Sequence, residues 1–140
     1  MNPLVSDLME TDVVTIDVNR SLEDVGTRLY EEGVGSVIVL SEEGNPMGIV
    51  TKHDVLRAIA EENPVLSEVG ISEYMSRPLS MIEPDRPIRG AVRRMNEEGV
   101  EQLAIVEDYE VVGIISKKDV IQAYDSLIKA AHEAERQPRT

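Results

Sequence analysis

The sequence contains no cysteine, phenylalanine or tryptophan, and it has only four tyrosines. Without cysteine, disulfide bonds, thiolate metal sites and cysteine nucleophiles are all excluded. We therefore expect a protein of a reducing compartment, which indicates a cytoplasmic location. The shortage of aromatic side chains also removes the stacking platforms on which single-stranded nucleic acids bind.

Basic residues are scarce, since 14 Lys and Arg stand against 27 Asp and Glu and give a formal net charge of -13. A field of this sign repels the phosphodiester backbone unless a basic face is segregated. The basic pairs Arg93/Arg94 and Lys117/Lys118 are isolated among acidic residues. The first residues do not resemble a signal peptide, and no apolar run approaches bilayer length. We expect a protein that binds neither nucleic acid nor membrane.

Catalytic residue sets are also missing. The two histidines are His53 and His132, and no serine, histidine and acid combine into a catalytic pattern. Acidic pairs such as Glu31/Glu32 and Glu97/Glu98 are typical of solvated helix faces and are not spaced like a calcium-binding loop. The sequence therefore predicts a protein that is not an enzyme, with no metal site and no obligatory cofactor.

The dominant feature of the sequence is an internal repeat. Residues 28–34 read RLYEEGV, and residues 94–100, which lie 66 positions later, read RMNEEGV. Residues 48–55 read GIVTKHDV, and residues 113–120, at an offset of 65, read GIISKKDV. Two matches in register indicate a duplicated structural unit. We assign the first copy with its lead-in and connector to residues 1–66, the second copy to residues 67–130, and a polar tail to residues 131–140.

Each copy is predicted to form strand, helix, strand, strand, helix, which is a mixed α/β (α+β) fold. The β-prone runs are residues 13–16, 36–40 and 47–50, then 79–82, 102–106 and 111–115. Ser21 with Asp24 can cap the first helix, and Gly33 and Gly99 can end the first helix of each copy. The second helices begin near residues 52 and 117. The polar stretch 61–69, which contains Asn63 and Pro64, is predicted to connect the copies.

This order of elements, with a Gly-hydrophobic-x-Thr/Ser-x-x-Asp sequence at the end of each hairpin, resembles the cystathionine-β-synthase (CBS) domain over about residues 6–127. The resemblance implies a stand-alone pair of CBS repeats related by a pseudo-twofold axis, with two clefts between the repeats. Clefts of this family commonly bind AMP, ADP, ATP or S-adenosylmethionine, and the modules often form homodimers. A regulatory role such as energy sensing, transmitted to an effector protein, is implied with them.

The resemblance also implies which residues bind the ligand. Asp54 and Asp119 would accept hydrogen bonds from ribose hydroxyls, while Thr51 and Ser116 would meet a phosphate at a helix N-terminus. Ile49 and Ile114 follow Gly48 and Gly113, which would let the backbone approach a base closely. The residues that would complete each cleft are Thr11, Val14, Val34 and Gly35 for the Asp119 cleft, and Arg77, Ser80, Val100 and Glu101 for the Asp54 cleft. The candidate cations for a phosphate are Lys52, His53, Lys117, Lys118 and Arg77.

Alternatives remain open at this stage. Thr51 with Asp54 and Ser116 with Asp119 have the spacing of a helix capping box, which needs no ligand. Glu101 would repel a triphosphate and so favours AMP, ADP or S-adenosylmethionine over ATP. The chain could also be a ligand-free structural or oligomerisation module that docks a partner protein. The residues that favour an interface on the last helix are Tyr124, Leu127, Ile128 and Ala131.

Overall fold

The computed structural model describes residues 2–62 and 65–136. The helices and strands are α1 (Val5–Leu8), β1 (Thr15–Asp17), α2 (Leu22–Glu32), β2 (Ser36–Leu40), β3 (Pro46–Thr51), α3 (Lys52–Glu62), β4 (Met81–Ile82), α4 (Ile88–Glu98), β5 (Gln102–Glu107), β6 (Glu110–Ser116) and α5 (Lys117–Arg136). Two 3₁₀ turns, Leu66–Glu68 and Ile71–Glu73, lie between α3 and β4. The order strand, helix, strand, strand, helix therefore occurs twice, which confirms the predicted mixed α/β class.

Each copy forms a three-stranded sheet with the same topology, β1-β2-β3 and β4-β5-β6. The central strand pairs in parallel with the first strand of its copy and antiparallel with the third. Val37, Ile38 and Val39 are buried in β2, as are residues 103–105 in β5. Consecutive buried positions, rather than alternating ones, are typical of a strand covered on both faces, and this confirms the prediction that these two strands are buried.

The chain divides into two compact units whose boundaries differ from those of the sequence copies. The first-copy unit is Asp12–Ser80, and the second-copy unit combines the described residues up to Thr11 with those from Met81 onward. Residues 2–11, which lie ahead of β1, therefore belong to the unit of the second copy, and the residues that precede β4 belong to the unit of the first. We call these two stretches, residues 2–11 and 69–80, the lead-in segments.

Each unit has its own hydrophobic core, and each core includes residues from one lead-in segment. The buried core residues of the first-copy unit are Ile16, Leu22, Val25, Leu29, Val37, Val39, Val50, Ala58, Val69, Ile71, Tyr74 and Met75. Those of the second-copy unit are Val5, Ile82, Ile88, Ala91, Met95, Leu103, Ile105, Ile115 and Val120. Val69, Ile71, Tyr74 and Met75 in the first list, and Val5 in the second, come from lead-in segments. The lead-in segments are thus structural parts of the units and not simple linkers.

The first helix of each copy begins and ends as its sequence predicts. The Ser21 N–H donates to the Asp24 carboxylate (3.0 Å), and the Asp24 N–H donates to Ser21 Oγ (3.2 Å). The hydrogen bond from the Ser21 N–H holds the pKa of Asp24 below its usual value, and the nearby Arg20 guanidinium acts in the same direction. At the other end, Gly33 and Gly99 have φ of 64° and 66°, a left-handed conformation in which glycine is favoured.

The structure differs from the sequence predictions in the last helix and in the stretch ahead of β1. Helix α5 continues through Arg136, so the predicted polar tail is helical as far as residue 136. Good helix formers occupy this stretch, and the next proline along the chain is Pro138. The short helix α1 was not predicted. Asn63 and Pro64 of the predicted connector, and residues 137–140 of the predicted tail, lie outside the described residues. No helix among the described residues has both the length and the apolar character needed to cross a membrane.

Candidate functional site

The first candidate motif lies where β3 ends and α3 begins. The Thr51 N–H donates to Asp54 Oδ2 (2.8 Å), and the Thr51 hydroxyl donates to the same oxygen (3.0 Å). The Asp54 N–H in turn donates to Thr51 Oγ1 (3.3 Å). This reciprocal pair is a capping box, and it fixes the Asp54 carboxylate beside the first turn of α3, where unpaired backbone N–H groups favour an anion.

The second motif repeats this arrangement at the junction of β6 and α5. The Ser116 N–H donates to Asp119 Oδ2 (3.0 Å), and the Asp119 N–H donates to Ser116 Oγ (3.1 Å). Ser21 with Asp24 has the same geometry at α2, far along the chain from either hairpin junction. The capping role that the sequence left open is therefore present at both motifs, and the hydrogen bonds alone do not distinguish a ligand site from a helix cap.

A second feature common to both motifs is the loop that follows the first helix of each copy. The Lys52 N–H donates to the carbonyl oxygen of Gly35 (3.1 Å), and the Lys117 N–H donates to that of Glu101 (3.0 Å). Gly35 and Glu101 thus each lie beside the motif of their own copy. Their assignment to the cleft of the opposite copy joins residues of different units and stays a prediction.

A lead-in segment pairs with the third strand of each sheet. Glu10 and Ile114 exchange both backbone hydrogen bonds (2.8 and 2.9 Å), and Ile49 and Ser76 do the same (3.1 and 2.9 Å). These bonds place residue 10 against β6 and residue 76 against β3. The two predicted base-contacting isoleucines, Ile49 and Ile114, therefore already use their backbone N–H and carbonyl groups within their units.

The glycines that precede these isoleucines are explained by the lead-in segments. A Cβ at Gly48 would lie 2.7 Å from the carbonyl oxygen of Ser76 and 3.0 Å from Met75 Sδ. A Cβ at Gly113 would lie 2.7 Å from Met9 Sδ and 3.0 Å from the carbonyl oxygen of Glu10. Our sequence interpretation attributed the glycines to close approach of a ligand base. In the structure the chain itself makes that close approach, so the glycines carry no argument for a ligand.

The structure assigns the predicted site residues to the two units as follows. The first-copy unit contains Val14, Val34, Gly35, Ile49, Thr51, Lys52, His53, Asp54, Arg77 and Ser80, and the second-copy unit contains Thr11, Val100, Glu101, Ile114, Ser116, Lys117, Lys118 and Asp119. Val14, Val34 and Val100 pack against the core of their own unit, which is the packing role expected of a valine. Lys52, His53 and Lys118 are exposed.

One charged group beside Asp54 was missed in the sequence analysis. Arg57 Nη2 lies 3.9 Å from Asp54 Oδ1, and Arg57 Nη1 lies 3.6 Å from Glu61 Oε2. The guanidinium also stacks over the ring of Tyr74, 4.6 Å from its centroid, and the Tyr74 hydroxyl donates to Glu61 (3.2 Å). The helical spacing of residues 54, 57 and 61 was a visible signal for these ion pairs.

Comparisons with known proteins agree with this architecture. An uncharacterised protein of Methanopyrus kandleri is 28% identical over 130 residues, which are 92% of this chain and 66% of that protein. The L-aspartate semialdehyde sulfurtransferase of Methanosarcina acetivorans is 29% identical over 84% of this chain but only 23% of its own length. The chain thus spans less than two thirds of each of these relatives.

Solved structures share the fold. The CBS domain pair of protein MJ0100, crystallised with 5′-methylthioadenosine and S-adenosyl-L-methionine, superposes with a TM-score of 0.79 at 24% identity, covering 90% of this chain and 98% of that one. A CBS domain protein from Pyrobaculum aerophilum, complexed with AMP, gives 0.78 at 21% identity, covering 93% and 99%. The family model described as "CBS domain" matches residues 5–61 and 71–126. The chain therefore belongs to the CBS domain family and carries two CBS domains in tandem.

Proposed function

We propose that this chain is a non-catalytic regulatory module that binds adenosine-containing ligands through the motifs Thr51/Asp54 and Ser116/Asp119. AMP, ADP and S-adenosylmethionine are the ligands we favour over ATP, because the exposed carboxylate of Glu101 follows helix α4 in the second copy and would repel a triphosphate. CBS domain pairs of the same fold have been crystallised with S-adenosylmethionine and with AMP, which supports this class of ligand.

The observation that carries the proposal is that one carboxylate arrangement recurs where the last strand of the sheet meets the following helix in both CBS domains. Asp54 and Asp119 each stand at the first turn of a helix, each with Oδ2 fixed by a backbone N–H of the preceding strand end. A fixed carboxylate can accept hydrogen bonds from the two vicinal hydroxyls of a ribose, and the adjacent helix N-terminus stabilises a phosphate or carboxylate group. The same pair of chemical functions, a diol and an anion, occurs in AMP.

The proposed mechanism of signalling is a conformational change between the two CBS domains. Asp54 and Asp119 belong to different compact units, so a ligand with better contacts in one relative arrangement of the units would shift the population toward it. A separate effector protein would read this change. Scattering profiles recorded with and without saturating ligand test the mechanism, and identical profiles would contradict it.

The site assignment predicts the number of binding events in Asn variants. Calorimetric titration with AMP and with S-adenosylmethionine is expected to give two events in the unaltered protein and one in either Asp54→Asn or Asp119→Asn. Asparagine keeps a capping oxygen but loses the charge that strengthens hydrogen bonds to the ribose, so the affected event should weaken about ten- to a hundredfold. Asp24→Asn is the matched control, because Asp24 has the same capping geometry but no proposed ligand role. Normal binding by both site variants would remove the assignment.

We further propose that the module forms a homodimer through α5. This role is the chief alternative to ligand binding, and it is also compatible with ligand binding. Ile121, Tyr124 and Ile128 are all exposed, and their spacing places them on one face of the helix. Tyr124 is 60% exposed, so Tyr124→Glu should convert a dimer into a monomer in analytical ultracentrifugation without unfolding the protein. Tyr30→Glu is the control, since Tyr30 on α2 is 88% exposed and lies outside this row. A monomeric unaltered protein would contradict the proposal.

A further inference from the structure

The two ligand motifs differ in what holds the second oxygen of the carboxylate. At Asp54, Thr51 occupies Oδ2 and the Arg57 guanidinium approaches Oδ1. Asp119 has the corresponding hydrogen bond at Oδ2, but it has no ion-pair partner among the side chains that the structure describes. A ribose that needs a carboxylate oxygen would therefore meet a competitor at Asp54 and none of this kind at Asp119.

We call Arg57, Glu61 and Tyr74 the Arg57 cluster. The sequence of the second copy explains why this cluster has no counterpart there. At the offset of 65 residues, Gln122 takes the place of Arg57 and Ser126 takes the place of Glu61. At the offset of 66 that relates the lead-in segments, Tyr74 corresponds to Leu8. All three members of the first-copy cluster are thus replaced by uncharged residues, none of them aromatic. The difference is built into the sequence and does not depend on one side-chain conformation.

Arg57 is held in place by more than its contact with Asp54. Its guanidinium pairs with Glu61 at 3.6 Å and lies over the Tyr74 ring, whose hydroxyl also donates to Glu61. Stacking of a guanidinium on an aromatic face is favourable, and a planar group with several fixed donors loses little freedom on forming each further bond. Arg57 is therefore prepositioned beside Oδ1, although its side chain is 42% exposed while that of Asp54 is 13% exposed.

We propose that Arg57 is a positioning residue that competes with the ribose for Asp54, so that the Asp119 motif fills first and the Asp54 motif fills at higher ligand concentration. This inference rests on the proposed function, because it assumes that both carboxylates accept ribose hydroxyls. The ion pair is long and partly solvated, so it lowers the affinity of the Asp54 motif by only about two- to fivefold. The two motifs would then fill over overlapping ranges of ligand concentration, with the Asp119 motif ahead.

The other charged groups near the two motifs also differ, and their effect on ligand affinity must be distinguished from that of Arg57. Lys52 corresponds to Lys117, but His53 corresponds to Lys118, so the second motif carries one more fixed positive charge beside the helix start. That difference acts on a charged ligand through its phosphate or carboxylate. An uncharged ligand with a ribose diol, such as 5′-methylthioadenosine, removes this contribution and leaves the competition at the carboxylate.

The experiment is a calorimetric titration of the full chain with 5′-methylthioadenosine. In the unaltered protein we expect a tighter event that is lost in Asp119→Asn and a weaker event that is lost in Asp54→Asn. Arg57→Gln, which introduces the residue found at the corresponding position of the second copy, should strengthen the weaker event about two- to fivefold, the range for a partly exposed ion pair. Gln122→Arg should weaken the tighter event, which tests the same idea in the other unit.

The salt dependence of ligand binding at the Asp54 motif, which we call the Asp54 event, distinguishes competition by Arg57 from a general structural effect of the substitution. Added KCl screens the pair between Arg57 and Asp54, so the Asp54 event should strengthen with salt in the unaltered protein and become insensitive to salt in Arg57→Gln. An Asp54 event that is unchanged or weaker in Arg57→Gln would overturn this inference alone. If Asp54→Asn and Asp119→Asn bind as the unaltered protein does, the proposed function fails and this inference fails with it.

Discussion

Replacing Ile71 by alanine is expected to lower the free energy of unfolding of the first-copy unit by about 2–5 kcal/mol, the range for removing a large aliphatic side chain from a packed core. Ile71 is 0% exposed and belongs to the same core as Leu22 and Val25, although it lies beyond the first copy in the sequence. Its backbone neighbours are tied to that unit, because the Leu22 N–H donates to the carbonyl oxygen of Val69 (3.0 Å). Chemical denaturation followed by circular dichroism measures the loss.

The matched control for this prediction is Ile121→Ala. Ile121 is 66% exposed on α5, so the same substitution there removes little buried surface and should change the free energy of unfolding by less than about 0.5 kcal/mol in the monomer. Denaturation should therefore be recorded under conditions in which sedimentation shows a single species. Equal losses for the two variants would mean that the lead-in segment does not pack in the first-copy core.

Gly48→Ala is expected to destabilise the same unit by about 1–3 kcal/mol, the range for overpacking a close contact. The added methyl would stand 2.7 Å from the backbone carbonyl oxygen of Ser76. That oxygen cannot move away freely, because it accepts the hydrogen bond from the Ile49 N–H. The substitution should loosen residues 74–76 from β3, which faster amide hydrogen exchange at Ser76 would report.

Gly26→Ala serves as the comparison for this variant. Gly26 lies inside α2, and no atom lies within 4 Å of the position that its Cβ would take. Alanine there should raise the free energy of unfolding by about 0.5–1 kcal/mol, because glycine is a poor helix former. Opposite signs for the two variants would establish that the close contact at Gly48, and not the loss of a glycine in general, causes the destabilisation. Stabilisation by both would contradict our account.

Local patterns predicted much of this fold because the features concerned are themselves local. Strands β2 and β3, the capping box of Ser21 with Asp24, and the ends of α2 and α4 all depend on residues within a few positions of each other. The internal repeat extended each prediction to the second copy. The same locality found the Thr51/Asp54 and Ser116/Asp119 motifs but could not separate a helix cap from a ligand site, since both functions use the same atoms.

The contacts of the lead-in segments were beyond such reasoning. Nothing near Ile71 in the sequence indicates that it packs with Leu22, which is distant in the chain. One signal was available, because Met9 and Met75 match at the repeat offset and so do Gly48 and Gly113. A methionine and a glycine that both recur in the two copies are consistent with a contact in which the long methionine side chain lies against the glycine, which has no side chain. The pattern alone did not say which methionine meets which glycine.

The sequence favoured an interface on the last helix, but it did not show how much of the apolar face of that helix is exposed. Ile121, Tyr124 and Ile128 follow helical periodicity, and that periodicity is the same whether the apolar face meets a core or solvent. Arg57 shows the opposite case, because its spacing from Asp54 and Glu61 on α3 was visible. Its significance depends on the Tyr74 ring over which it lies, and that ring comes from a lead-in segment.

The exchange of lead-in segments has a consequence for how this protein emerges from the ribosome. When translation has passed residue 62, the first copy still lacks Ile71, Tyr74 and Met75, so its hydrophobic interior stays incomplete until the next stretch is synthesised. Val5 is synthesised well before Leu103 and Ile115, which belong to the same core. The segment that contains Val5 must therefore wait for β5 and β6, which leaves it available to chaperones during synthesis.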